Sequence, residues 1–199
     1  GSTVTSTSHN TIQGKNQSGL TVTNSGTINA GGSKAINLLN ATNSIITNNT
    51  GGIIKSNTNT ITVTATNDND ANNVTINNSG EIYAYSTDPA ADSAAIKSEA
   101  DTDNITIINN SGGYIHSNNG NSSVQQGSTV FISSLSNATL TNSGTIENKA
   151  GTDAYVLGVA GIGVTVTLKD KGKVIGKINV AGSGHTIKLQ HGAGQAYFY

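Results

Sequence analysis

The sequence predicts an all-β fold, a right-handed parallel β-helix of about six to seven triangular coils. Three observations predict it: a polar turn motif that recurs along the chain, short alternating apolar runs between its copies, and a scarcity of bulky side chains. Only 34% of the 199 residues are hydrophobic and 4% aromatic, a thin supply for a spherical core. Disorder is the competing reading, because such chains often bury too little apolar surface to offset the entropy of ordering. Against it stand the single proline, Pro89, a charged fraction of only 11%, and apolar residues that are mostly Ile, Val and Leu in strand-like alternation.

The turn motif comes first. The hexapeptide TNSGTI occurs at Thr23 to Ile28 and again at Thr141 to Ile146. Anchoring each NSG-like turn on its glycine aligns Gly26, Gly51, Gly80, Gly112, Gly144 and Gly172, spaced by 25, 29, 32, 32 and 28 residues. Periods of this size belong to solenoids and propellers. Two residues before the anchors stand Asn24, Asn49, Asn78, Asn110, Asn142 and Asp170. The five asparagines are read as a structural ladder stacked at one corner, since Asn bonds its own backbone and tolerates the left-handed conformation. The glycine after each is read as the supplier of positive φ.

The strands follow from the flanks. Four residues before the anchors come Val22, Thr47, Ile76, Ile108, Leu140 and Leu168, and shortly after them Ile28, Ile53, Ile82, Ile115, Ile146 and Val174. Each unit therefore reads as a strand, a tight corner and a second strand on a new face. A third apolar element precedes most units: KAINLL (34 to 39), TITVTA (60 to 65), AAIKS (94 to 98), TVFISSL (129 to 135) and AYVLGV (154 to 159). Three short strands per period make one triangular coil and fall one short of a propeller blade. Coil lengths differ because loops are inserted, at 66 to 73, 86 to 93, 99 to 104 and 117 to 127, and these are expected to project from an edge and carry what is specific to this protein. Gly1 and Ser2 read as a cloning scar, and residues 3 to 199 as a single domain belonging to a longer chain.

Units of the form ITNSGTI, VTINNSGEI and ITIINNSGGYI, rich in Asn, Thr, Ser and Gly and without Cys, resemble the passenger domains of bacterial autotransporters (type V secretion). The stretch GKVIGKINVAGSGHTIKLQ, 172 to 190, is similar to the later coils of that family. The resemblance covers about residues 9 to 190. It implies passage through a C-terminal outer-membrane β-barrel, and display at the cell surface or secretion. It also implies an adhesin, a self-association factor, or a virulence factor that binds a host receptor. The partner would be a host cell-surface protein or glycan, or a second copy. Fold by itself chooses among none of these.

Cys, Met, Trp and Arg are absent, so thiolate metal sites, disulfides and cysteine nucleophiles are excluded. The acid-sugar lyases and polygalacturonases that share this fold cluster carboxylates with Arg or Lys, whereas here the carboxylates sit mostly in inserted loops. No GxSxG elbow accompanies His9, His116, His185 or His191. We therefore expect no enzyme and no catalytic residue. The acidic loops do offer a possible calcium site, Asp68 and Asp70 on one coil with Glu99, Asp101 and Asp103 on the next, set against a solvated acidic edge that discourages strand pairing. No other cofactor is implied.

Net charge is −1, from five Lys and nine acids in residues 1 to 150 (−4) and five Lys and two Asp in residues 151 to 199 (+3). Lys169, Lys171, Lys173, Lys177 and Lys188 thus form a candidate basic patch for a sulfated glycan or an acidic receptor surface, with edge protection as the alternative. Nucleic acid is not expected as a partner of a chain without Arg. No apolar run approaches the roughly 20 residues that span a bilayer, so no direct membrane insertion of this segment is expected.

Overall fold

The computed structural model describes residues 2 to 66, 71 to 99 and 101 to 190. It is a three-faced parallel β-helix, with three sheets of seven strands each. Face I stacks Thr3–Ser6, Thr27–Ala30, Ile53–Ser56, Glu81–Ala84, Tyr114–Ser117, Thr145–Asn148 and Lys173–Ile175. Face II stacks Ile12–Lys15, Ile36–Leu39, Ile61–Thr64, Ile96–Ser98, Val130–Ser134, Tyr155–Gly161 and Lys177–Val180. Face III stacks Thr21–Asn24, Ile45–Asn48, Thr75–Asn78, Thr106–Asn109, Thr139–Asn142, Thr165–Lys169 and Thr186–Gln190. Every strand pairs in parallel with the strand one coil away, so the ladder hydrogen bonds run from coil to coil. A four-residue helix, Val124–Gly127, is the one helix among the described residues, and it is far too short to cross a membrane.

The interior explains the composition. On faces I and III alternate residues point inward, and columns of β-branched and aliphatic side chains run along the axis: Ile28, Ile54, Ile82, Ile115 and Ile146 on face I, and Val22, Ile46, Ile76, Ile107 and Leu140 on face III. Each buried Ile contributes about 1.5–3 kcal/mol, and aligned Ile side chains fill a narrow prism that aromatic rings would overfill. Phe131 and the described tyrosines accordingly sit on outward or corner positions.

The NSG corner joins face III to face I, and here the register differs from the sequence reading. The buried ladder is Asn24, Asn48, Asn78, Asn109 and Asn142. Each amide nitrogen donates to the next carbonyl oxygen at 2.8 or 2.9 Å. Asn49 and Asn110 lie one residue outside it and donate instead to Ser25 and Ser79 on the corner's rim. The cause is corner length. Two residues separate the strands at 25 to 26, 79 to 80 and 143 to 144, but four do so at 49 to 52 and 110 to 113. Aligning on the first glycine of the longer corners shifts the register by one, which exchanges inside for outside. Ile54, Ile46 and Ile107 therefore take the inward places that the alignment had assigned to Ile53, Thr47 and Ile108. In the sixth coil Leu168, paired with Asn142, replaces asparagine, and Asp170 sits on the corner with φ 56°.

The glycines serve two purposes. Gly51 and Gly112, in the long corners, have φ of 78° and 84° with open space around them. In the short corners the reason is proximity: a Cβ on Gly144 would strike the carbonyl oxygen of Gly113 in the coil below. A second left-handed position recurs two residues before each of four face III strands, at Asn43, Asn73, Asn104 and Asn137, with φ between 50° and 56°.

The insertions do not simply project. Residues 71–72 and 102–103 pair as a small parallel sheet at the corner between faces II and III, while 67 to 70 lie outside the described residues. Residues 86 to 93 and 117 to 127 fold onto face II. Asn119, fully buried, donates to the carbonyls of Ala91, Ser93 and Gln126 and so joins the two segments. Beneath them the outward side chains of Lys97 and Phe131 are 2% and 5% exposed.

Candidate functional site

Face I stays open, and its outward positions form two columns, occupied by Thr and Asn in the first coils. In the middle coils the chemistry changes. Glu81 and Tyr83 are followed by Tyr114 and His116, then by Thr145 and Glu147, with Lys55 and Lys149 at the margins. Parallel pairing places same-column residues one rung apart, about 4.8 Å. Tyr83 and His116 stack with ring centroids 4.6 Å apart and planes within 9°. Tyr114, two residues before His116 on one strand, lies 4.4 Å from its ring.

Two diagonal hydrogen bonds lace the columns. His116 Nε2 meets Glu81 Oε1 at 2.8 Å, and the Tyr114 hydroxyl donates to Glu147 Oε2. Lys149 Nζ lies 5.0 Å above the Tyr114 ring and Lys55 Nζ 5.8 Å from that of Tyr83, cation–π contacts that bracket the cluster. Burial lowers the His116 pKa below its ordinary 6.5, and Lys149 adds to that; the bond to Glu81 opposes the shift without reversing it. His116 is therefore neutral at neutral pH, and Nε2 carries the proton that Glu81 accepts. Its Nδ1 is buried without a partner. For Tyr114, burial and then the bond and charge of Glu147 push the hydroxyl well above its usual range.

The edge of this face, at the corner with face III, is notched. Long corners alternate with short ones, leaving a cleft of about 290 Å3 above Ser79 and Gly80 and another of about 220 Å3 above Ser143 and Gly144. Tyr114 borders both, with Glu81 in the first and Lys171 in the second. The arrangement offers hydrogen-bond donors and acceptors, both signs of charge and aromatic edges on a rigid sheet. It has no nucleophile against the imidazole, because the one hydrogen bond of the His116 ring goes to Glu81. Ser8 and His9 touch at 2.9 Å but are exposed neighbours in sequence. His185 accepts from the Val164 amide and caps a strand start, and His191 lies outside the described residues.

The residues singled out in the sequence are spread more widely. Lys169 and Lys188 lie on face III, Lys173 on face I and Lys171 on the corner between them, while Lys177 opens a face II strand and pairs with Asp153 at 3.2 Å. The five form a girdle around the last coils. Asp68 and Asp70 lie outside the described residues. Glu99 is 3.4 Å from Lys97, Asp103 accepts from Ser136, and Asp101 adopts φ 67° on the loop between them. Among the described residues no three acidic or histidine side chains converge as a metal site. The face I cluster escaped the sequence reading, although EIYAY and YIHS each follow directly on the last glycine of two successive turns, Gly80 and Gly113. That coincidence was the available signal. Comparison with protein-family models, with curated proteins and with solved structures found no match to this chain.

Proposed function

We propose that the chain is a recognition segment of a surface-displayed or secreted β-helical passenger of the autotransporter kind, and that it contacts a host cell-surface glycan or protein through face I. The observation that carries this reading is the cluster around Tyr114. Three of the six tyrosines in the chain, Tyr83, Tyr85 and Tyr114, gather there with Glu81, Glu147, Lys55 and Lys149, on a face whose first two coils present only Thr and Asn outward. Tyrosine is enriched where proteins bind, since it brings large contact area, little rotamer entropy and a polar tip. The sheet beneath holds these groups in place before binding, which limits the entropy lost on contact. The repeat style of the sequence supports the cellular setting.

The test is saturable binding of the purified chain to host cells and a glycan array, comparing Tyr83→Ala/Tyr114→Ala with Lys169→Glu/Lys171→Glu/Lys173→Glu. Loss of at least tenfold in affinity in the tyrosine pair, at unchanged β-sheet content, is the expected result. Loss only in the lysine variant would move the site to the basic girdle. Binding that neither variant alters, or none at all, would defeat the reading.

A further inference from the structure

Away from face I, and independent of what it binds, a buried lysine on face II meets two half-buried carboxylates at the edge of the covering loops. We infer that Lys97 and Asp92 become joined by an intramolecular amide bond, with Glu99 as the proton carrier. The Lys97 side chain is only 3% exposed. Its register places it between Thr62 on one rung and Phe131 on the next, both of them buried. Nζ lies 2.6 Å from Asp92 Oδ2 and 3.4 Å from Glu99 Oε1. Asp92 Oδ1 is buried without a hydrogen-bond partner.

Lysine is almost never enclosed to this degree unless paired, and here one member of the pair, the Lys97 ammonium, is out of water. The step opens with transfer of one proton along the 2.6 Å contact, which converts the pair to a neutral amine and a carboxylic acid. An amine held this close to a carboxyl oxygen is within about 3–3.5 Å of the reacting carbon, where orientation supplies much of the barrier reduction. The Nζ lone pair then forms the new bond to Asp92 Cγ. The Glu99 carboxylate takes a proton from the attacking nitrogen and delivers it to the departing hydroxyl, the C–O bond breaks, and water leaves. One ammonium and one carboxylate become one amide and one water, with no redox partner. Oδ2, protonated along the contact, leaves as the water, and Oδ1 stays as the amide oxygen.

The bond would fasten the segment 86 to 93 to face II, where Asn119 already joins it to 117 to 127. It is a covalent staple open to a chain without cysteine. Intact-mass spectrometry of the folded chain is expected to read one water below the mass of the sequence. Trypsin, which cuts after free lysine, is expected to leave the bond from Lys97 to Ser98 uncut in the denatured protein. Glu99→Gln and Asp92→Ala should each restore the unreduced mass and the cleavage. A folded wild-type chain with the full mass and a cleavable Lys97 overturns the proposal and leaves an ion pair. Water loss with Lys97 still cleavable marks an aspartyl succinimide and overturns it equally, and water loss that persists in Glu99→Gln removes Glu99 from the step.

Discussion

Asn78 is held from both sides: its carbonyl accepts from Asn48 at 2.9 Å and its amide donates to Asn109 at 2.9 Å. Truncation would orphan buried polar groups in two neighbouring coils, and leaving such groups unpaired costs more than a hydrogen bond gains. Asn78→Ala is therefore expected to lower unfolding stability by about 2–4 kcal/mol in urea titrations. Asn49→Ala and Asn110→Ala, on the rim of the same corner, should cost about 0.5 kcal/mol or less. His116 gives a second prediction. Its folded pKa lies below 6.5, so the unfolded chain binds the extra proton first, and stability present above that value is lost as pH falls through 6.5 toward the folded pKa. The slope is at most about 1.4 kcal/mol per pH unit. His116→Gln should flatten it, as read by denaturant midpoints between pH 7.5 and pH 5. These distinctions were not legible in the sequence, where Asn48 and Asn49 are adjacent and equally polar.

At the scale of the corner and the inserted segment, glycine and asparagine exchange places by a rule. Gly112, left-handed and surrounded by open space, should accept asparagine with little loss, because Asn visits that conformation. Gly144 should not, since any Cβ meets the carbonyl of Gly113; Gly144→Ala is expected to cost about 1–3 kcal/mol through backbone displacement. Thermal melts of the two variants check the contrast. The covering of face II depends on Asn119 in the same way. Asn119→Ala should leave the coils intact but open the 86 to 93 and 117 to 127 segments to limited proteolysis well before the strands are cut. The existence of three strands and one corner per period was legible, because Asn, Ser and Gly punctuate an alternating apolar pattern. The two lengths of corner were not, since a doubled glycine reads as one anchor.

Across the whole molecule, nearly every ladder hydrogen bond joins one coil to the next, so stability is a sum over neighbouring interfaces. The central coils have two such neighbours. In the last described coil Ile187 and Leu189 are 49% and 53% exposed. Amide exchange is expected to be slowest around Ile82, Ile107 and Ile115 and fastest at Thr186–Gln190, which residue-resolved hydrogen exchange would reveal. The sequence by itself determined the architecture: period-two apolar residues need a buried face, short periods need a neighbouring coil to supply it, and the lack of aromatic bulk permits only a narrow interior. Tertiary structure alone decided the sites. Tyr83, the Tyr114–His116 pair and Glu147 lie about thirty residues apart along the chain and meet because parallel pairing stacks coils of unequal length. The five lysines of the last coils, close in sequence, part because each corner turns the chain onto another face. Lys97 meets Asp92 only because a loop folds back over its own strand.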